Sequence, residues 1–162
     1  MNTLPSNSEC RKRDTVEAVN PANLPAERCV LGAIIEDDSL WDEVIASGLC
    51  RRHLFLDDHR HVFGAIERLK ARNAPVDYIS VAEELGNRAQ DYVLIASLVH
   101  GVVVQEDHVR HHAAIVRKKS CLRALLKMGE WITTSVTETS DPDLLTKQIR
   151  SMLDACTEDH VL

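Results

Sequence analysis

Glycine, aromatic side chains and long apolar runs are all scarce in this chain of 162 residues. It has 6 glycines, and aromatic residues make up only 4%, which favours a helical protein over a β-sandwich or barrel. No apolar run approaches the roughly 20 residues that span a bilayer. The N-terminus also lacks the apolar core of a secretory signal. These absences predict a cytoplasmic protein without a membrane segment.

Disulfide and nucleotide-binding motifs are missing as well. The five cysteines are odd in number and form no CxxC, so reduced thiols are expected rather than disulfides: Cys10, Cys29, Cys50, Cys121 and Cys156. No G-x-x-x-x-G-K-[ST] phosphate loop occurs, and no nucleophile elbow is visible. We therefore predict that this chain is not an enzyme, binds no cofactor and hydrolyses no nucleotide.

The formal net charge of −6 argues against a surface that wraps nucleic acid. A local exception is a basic cluster in the second half of the chain, made of Arg110, Arg117, Lys118, Lys119, Arg123 and Lys127. These residues spread around one predicted helix, so a solvated face is the favoured interpretation. The alternative is a small DNA-binding or regulatory protein that uses this basic face.

Helical signals begin after a polar N-terminal segment. Residues 1–22 are predicted to be a flexible tail, and residues 23–104 a helical head. Asn23 is expected to cap the first helix, within which Gly32 costs about 1 kcal/mol relative to Ala unless something packs closely against it. Ser39 is expected to cap the next helix, and Gly48 to end it.

A corner of two helices follows between residues 54 and 85. Asp57 is expected to cap the first, whose apolar residues Val62, Phe63, Ile66 and Leu69 fall at helical spacing. Asn73 provides a left-handed stop, and Pro75 prevents the helix from continuing. Ser80 and Glu83 are expected to form a capping box over the second, shorter helix. His59 is expected to orient the corner by hydrogen bonding.

Two long amphipathic segments predict an antiparallel helical hairpin over residues 105–157, followed by a tail at 158–162. The first helix is expected to run from Gln105 to about Val136, with fraying between Thr133 and Ser140. Asp141 and Pro142 restart the second helix as cap and first turn. The predicted fold class is all-α, with a globular helical head and a long hairpin.

The hairpin carries more apolar residues than one antiparallel seam can bury. Leu125 and Leu126 differ by about 100° around the helix axis, and Trp131 lies roughly 140° from Leu126. A monomer would leave an exposed apolar patch, and a two-fold homodimer is the simplest way to cover it. The predicted interface residues are Leu122, Leu125, Leu126, Trp131, Ile132, Ile149, Met152 and Leu153.

Three histidines at the start of the long helix could present imidazoles to a metal. His108, His111 and His112 fall at i, i+3 and i+4 spacing. No cysteine or distant histidine is obviously paired with them, so a solvated polar face is favoured and no metal site is predicted. A metal-binding helical protein remains the third interpretation.

Three separated blocks resemble the N-terminal domain of DnaB-type replicative helicases. They are LPAERCVLGAI at residues 24–34, HRHVFGAI with PVDYISVAEEL at residues 59–85, and IVRKKSCLRAL at residues 115–125. The middle block matches the family's corner through His59, Arg60, Phe63, Pro75 and Asp77. The chain departs from the pattern after Leu85, where GNRAQ replaces a glycine-rich connection, and at His112, where members usually have tyrosine.

The resemblance implies a non-enzymatic module of DNA replication. In the family, hairpins pair between subunits, the heads build a collar on a hexameric ring, and the collar contacts the C-terminal domain of primase. The implied partners are therefore a second copy of the chain or a higher ring, the primase C-terminal domain, a replicative helicase and a helicase loader. Whether the chain is a domain of a full helicase or a free-standing relative stays open.

Overall fold

A computed structural model describes residues 20–138 and 141–158, and all regular structure within these ranges is helical. The all-α prediction is therefore confirmed. None of the described helices is both long and apolar enough to cross a membrane. The elements in chain order are α1 (Leu24–Glu36), a 3-10 turn (Asp38–Leu40), α2 (Trp41–Ala46), a second 3-10 turn (Arg51–His53), α3 (Asp57–Ala71), α4 (Tyr78–Leu85), α5 (Ala89–Val99), α6 (Glu106–Glu138) and α7 (Pro142–Glu158).

Helix α1 lies at the centre of the head, where it packs against α3, α5 and α6. Its Val30, Leu31 and Ile34 are completely buried. A Cβ added at Gly32 would lie 2.3 Å from the carbonyl oxygen of Leu98 in α5, so the two backbones touch at this glycine. The close packing that would justify a glycine within α1 is thus present.

Several of the predicted helix boundaries are confirmed. Asn23 caps α1, because its Oδ1 accepts a hydrogen bond of 3.0 Å from the backbone N–H of Ala26. After α3 the chain turns at Asn73, whose φ of 55° is left-handed. Gly48 follows α2 with a φ of 75°. Asp141 caps α7 by accepting from the N–H groups of residues 143 and 144, and Pro142 occupies the first turn.

The cap predicted at Ser80 and Glu83 is wrong. Helix α4 begins three residues earlier than that capping box requires, and Asp77 is its cap. The Asp77 Oδ1 accepts from the N–H groups of Ile79 and Ser80 at 2.9 and 2.8 Å. A carboxylate that satisfies two free N–H groups one turn earlier outcompetes a serine hydroxyl for the start of the helix.

Two further caps are also corrected. Asp57 is the first residue of α3 rather than its cap, and the capping position, Leu56, contributes no side-chain hydrogen bond. Ser39 does not cap α2; instead its N–H and hydroxyl donate to Asp37, which caps the 3-10 turn preceding α2. An acidic residue lies near the start of each helix: Asp57 is the first residue of α3, and Asp37 caps the 3-10 turn before α2.

Helix α6 belongs to two packing environments. Its first turns place Val109, Ala113 and Val116 in the core of the head. Its later part pairs with α7 in an antiparallel hairpin, in which Met128 and Leu145 are the buried apolar side chains of the described residues. The head and the hairpin therefore share one continuous helix.

The fraying predicted from Thr133 onwards is wrong for the described part of that segment. Helix α6 continues to Glu138, whereas residues 139–140 lie outside the described ranges. The hydroxyls of Thr133 and Thr134 donate to the carbonyls four residues earlier, those of Gly129 at 2.9 Å and Glu130 at 3.1 Å. These bonds satisfy the threonine hydroxyls within the helix, which continues past both residues.

Candidate interaction surface

His59 is held by a buried contact to a residue on another helix. Its Nδ1 lies 2.8 Å from Oε2 of Glu27 in α1, and both side chains are buried. The other carboxylate oxygen of Glu27, Oε1, accepts the backbone N–H of Phe55 at 2.8 Å. The sequence predicted a hydrogen-bonding role for His59 but gave no sign that its partner would be Glu27.

Arg60 holds the loop that leads into α3. Its Nε donates to the carbonyl of Leu54 at 3.0 Å, and its Nη2 to that of Phe55 at 2.9 Å. Its Nη1 also contacts the carboxylate of Asp57. These bonds use the guanidinium to satisfy backbone groups that no helix pairs.

The remaining residues of the family corner also serve the fold. Phe63 is completely buried and packs on Trp41, with ring centroids 5.3 Å apart. Pro75 is exposed in the turn, and Asp77 caps α4. Phe63 and Asp77 of the corner therefore stabilise the fold, the first by burial and the second as a helix cap.

Arg123 fixes the hairpin to the head. Its Nη1 donates to the carbonyl of Pro21 at 2.7 Å, and its Nη2 to that of His53 at 2.5 Å. Its guanidinium carbon lies 5.4 Å from the centroid of the Phe55 ring. Burial lowers the pKa of Arg123, and neighbouring Glu27 opposes that shift.

Two other arginines of the basic cluster also point towards the head. Arg117 donates from Nη1 to the carbonyl of Ser47 at 2.5 Å. Arg110 pairs through Nη2 with Glu43 of α2 at 2.8 Å, and it also contacts Glu106 of its own helix. The hydrogen bond to Glu43 raises the pKa of Arg110 above its ordinary value, and the charges of Glu43 and Glu106 act in the same direction. Half of the predicted basic face is thus used to join α6 to the head, which disfavours a DNA-binding surface.

The predicted interface residues lie on the hairpin and are incompletely covered. Trp131, Ile132 and Ile149 are half-buried. The other five are between 36% and 44% exposed, and together they define the apolar hairpin surface: Leu122, Leu125, Leu126, Met152 and Leu153. Residues 122–126 and 152–153 lie at similar distances along the chain from the connection at 139–141, so antiparallel pairing brings them to the same end of the hairpin.

Two neighbouring features extend the apolar hairpin surface. Val136 and Leu144 are also exposed, at 58% and 50%, although they were not among the predicted interface residues. Their positions on the apolar stripes of the two helices were a usable signal. A groove of about 430 Å³ continues the surface along α6, lined by Ala114, Arg117, Lys118, Cys121 and Leu122.

The three histidines cluster near the beginning of α6. The ring centroid of His112 lies 6.4 Å from that of His108 and 5.8 Å from that of His111. Burial lowers the pKa of His112, and the nearby His111 and His108 lower it further. Within the described residues, no group of three or more His, Cys, Asp or Glu side chains is arranged to hold a metal ion.

The described thiols show no nucleophile arrangement. Cys29, Cys50 and Cys121 are half-buried, and none of them forms a disulfide with another described residue. The Sγ of Cys50 lies 3.5 Å from Nδ1 of His53, but that nitrogen already accepts the backbone N–H of Cys50 at 3.1 Å. The imidazole is therefore engaged in closing a turn rather than placed to activate the thiol.

Comparisons with known proteins agree on one family. The model of the DnaB-like helicase N terminal domain matches residues 19–118. The replicative DNA helicase DnaB of Geobacillus stearothermophilus is 32% identical over 116 residues, which are 68% of this chain and 25% of that protein. DnaB of Pasteurella multocida is 30% identical over 122 residues (72% and 26%), and DnaB of Haemophilus influenzae 26% over 137 residues (82% and 29%).

A solved structure shares the fold. The crystal structure of the N-terminal domain of DnaB helicase from Mycobacterium tuberculosis superposes with a TM-score of 0.72 at 23% sequence identity. The match covers 83% of this chain and 98% of that domain. The chain thus corresponds to 25% to 29% of the length of the three curated relatives and to nearly all of the solved domain.

Proposed function

Because this chain belongs to the DnaB-like helicase N-terminal domain family, we propose that it is a non-enzymatic interaction module of DNA replication that associates with itself through its hairpin. Only the N-terminal domain of the relatives is matched. In this function the chain takes part in assembly and hydrolyses no nucleotide.

The observation that carries the proposal is the exposure of the apolar hairpin surface. Met128 and Leu145 are buried on the hairpin, whereas Leu122, Leu125 and Leu126 remain between 39% and 44% exposed. Contiguous exposed apolar side chains on an otherwise charged helix are typical of a protein interface. A two-fold contact uses each of these residues twice, so a small surface on one chain provides a larger interface in the dimer.

The groove beside Leu122 supports the same arrangement. Ala114 and Cys121 give it a small and weakly polar floor, and the aliphatic part of Lys118 borders it. A leucine from a partner hairpin could enter such a groove while the ammonium group of Lys118 stays in water. The exposed Lys118 and Lys127 then form part of a polar rim.

Contacts with other replication proteins are assigned to the head. We include the C-terminal domain of primase, a replicative helicase and a helicase loader as its partners. Ile79 of α4 is 61% exposed and Val93 of α5 is 70% exposed, and neither contributes to the core. These two residues are suitable anchors for a partner on the head. Titrating a labelled primase C-terminal domain with wild-type chain and with Ile79→Asp tests this part of the proposal.

Self-association is tested by a matched pair of charge substitutions. Leu126→Glu places a carboxylate on the apolar hairpin surface, whereas Val93→Glu makes the same kind of change on the head. In sedimentation velocity, Leu126→Glu is expected to behave as a monomer and Val93→Glu to match the wild-type dimer. Equal distributions for the two variants, with unchanged helical circular dichroism, would contradict a hairpin interface.

A further inference from the structure

A polar cleft of about 280 Å³ opens on the head between the 3-10 turn Arg51–His53 and helices α3, α4 and α5. Four of its lining side chains are basic: Arg51, His61, Arg68 and Arg88. They come from the 3-10 turn, from two turns of α3 and from the N-terminal boundary of α5. The cleft is separate from the apolar hairpin surface, which shares none of its residues.

Two of the carboxylates that line the cleft are already neutralised by arginines. The Oε1 of Glu84 accepts from Nε of Arg68 at 2.5 Å, and its Oε2 accepts from Nη2 of Arg72 at 2.5 Å. Asp91 accepts from the backbone N–H, Nε and Nη2 of Arg88 at 2.9 to 3.1 Å. The Glu84 pairs join α3 to α4, the Arg88–Asp91 pair closes the first turn of α5, and other guanidinium nitrogens are left unused.

The unused nitrogens converge above Gly64. A Cβ built on this glycine would lie 3.0 Å from Nη1 of Arg51 and 3.5 Å from Nη1 of Arg68. Neither Nη1 has a hydrogen-bond acceptor among the residues that the structure describes. Two guanidinium groups so close to one point repel each other, and an anion placed between them would remove that repulsion.

We propose that this cleft binds a compact phosphate anion, of the class of inorganic diphosphate or the terminal phosphates of a nucleotide. A tetrahedral phosphate accepts hydrogen bonds from several directions, which suits donors that come from separate elements. Arg51 and Arg68 supply two guanidinium groups, and the exposed His61 lies on the same wall. The cleft volume admits a small anion, whereas a nucleic acid duplex is far too wide for it.

Asp58 lines the cleft as well, and its negative charge would repel a bound anion. It is exposed in the first turn of α3, and the structure shows no cation paired with its carboxylate among the described residues. His61 lies one turn further along the same helix, where its ring N–H can donate a hydrogen bond to the anion. Removing the charge with Asp58→Asn is therefore expected to tighten phosphate binding.

Isothermal titration of the full chain with sodium diphosphate at low ionic strength tests the proposal. We expect one site, a loss of about tenfold in affinity for Arg51→Gln, and little change for Arg150→Gln, an exposed arginine on α7. Titration with ADP distinguishes a nucleotide ligand from free phosphate. Tighter binding of ADP than of diphosphate indicates that the cleft recognises a nucleotide, and equal binding indicates that it recognises the phosphates alone. The proposal is wrong if the wild-type chain does not bind diphosphate at about 5 mM. It is also wrong if Arg51→Gln and Arg150→Gln lose affinity equally, or if malonate binds more tightly than diphosphate.

Gly64→Ala provides a second variant whose two effects have opposite signs. The added methyl group would displace the end of the Arg51 side chain, so diphosphate binding should weaken several-fold. Alanine also favours the helix more than glycine does, so the midpoint of thermal unfolding should rise. Unchanged or tighter diphosphate binding by this more stable variant would show that the guanidinium groups of Arg51 and Arg68 above Gly64 do not form the binding site.

Discussion

Glu27 and His59, which lie 32 residues apart in the sequence, form a contact of 2.8 Å inside the head. Glu27 is 1% exposed and His59 6% exposed, so little solvent reaches either group. Because Glu27 also accepts the N–H of Phe55, one carboxylate joins α1 to α3 and to the loop before α3. Its loss would leave an imidazole and a backbone N–H without their acceptor.

Replacing Glu27 therefore tests how much this contact stabilises the head. Glu27→Ala is expected to lower the free energy of unfolding by on the order of 3 kcal/mol, because buried polar partners lose their acceptor. Glu27→Gln keeps an acceptor oxygen and should cost less. Urea denaturation measures both, with the exposed Glu36→Ala as control. A Glu27→Ala effect as small as that of Glu36→Ala would refute the prediction.

Two glycine-to-alanine substitutions should have opposite effects. At Gly32 a Cβ would lie 2.3 Å from the carbonyl oxygen of Leu98, so α1 and α5 must move apart, at a cost of about 1–3 kcal/mol or more. At Gly129 of α6 a Cβ meets nothing within 4 Å, so Ala should stabilise by up to about 1 kcal/mol. Thermal unfolding followed by circular dichroism compares them. A stabilising Gly32→Ala would contradict the close approach of the two helices.

His112 should make stability depend on pH. Burial and the neighbouring His111 and His108 lower its folded-state pKa below the ordinary value of 6.5. The folded state then binds fewer protons than the unfolded state, so this contribution is present above about pH 7 and is lost as the pH falls. Wild type should therefore lose more stability between about pH 7.5 and pH 5.5 than His112→Gln does, as measured by urea denaturation.

The exposed Gln148 of α7 supplies the control for that comparison. Gln148→Ala removes no titratable group and should therefore follow the wild-type pH profile. If His112→Gln follows the wild-type profile as well, His112 does not carry the effect.

Arg123 should be needed to hold the hairpin on the head. Its two donated bonds reach Pro21 and His53, and lysine cannot reproduce that planar fork. Arg123→Lys is expected to cost about 2–3 kcal/mol of stability, since bonds from a charged donor to backbone carbonyls are lost. Lys127→Gln, on the exposed side of the same helix, should cost far less in the same urea titration.

The helical architecture could be predicted because its signals are local. Asn23, Asn73 and Asp141 stand where a cap or a left-handed turn was expected, and each acts within a few residues. Local signals failed where two candidates competed. At α4 the carboxylate of Asp77 satisfies two N–H groups, so the helix begins before Ser80.

The side-chain arrangement could not be predicted because it depends on contacts between distant residues. The pairing of Glu27 with His59 spans 32 positions, and Arg123 reaches back to Pro21 across 102 positions. The periodicity of α6 also gave no means of telling that Arg110 and Arg117 would point to the head rather than to solvent. The apolar surplus of the hairpin, in contrast, was expected from helix geometry alone, and Leu122, Leu125 and Leu126 are exposed. That these residues form an interface stays a prediction.

Sedimentation equilibrium of the wild-type chain measures self-association through the hairpin without any substitution. At tens of micromolar we expect a mass of twice the 18.1 kDa of one chain, since the apolar hairpin surface is then covered by a second copy. A single species of 18.1 kDa at that concentration would rule out the homodimer and would assign the surface to a different protein.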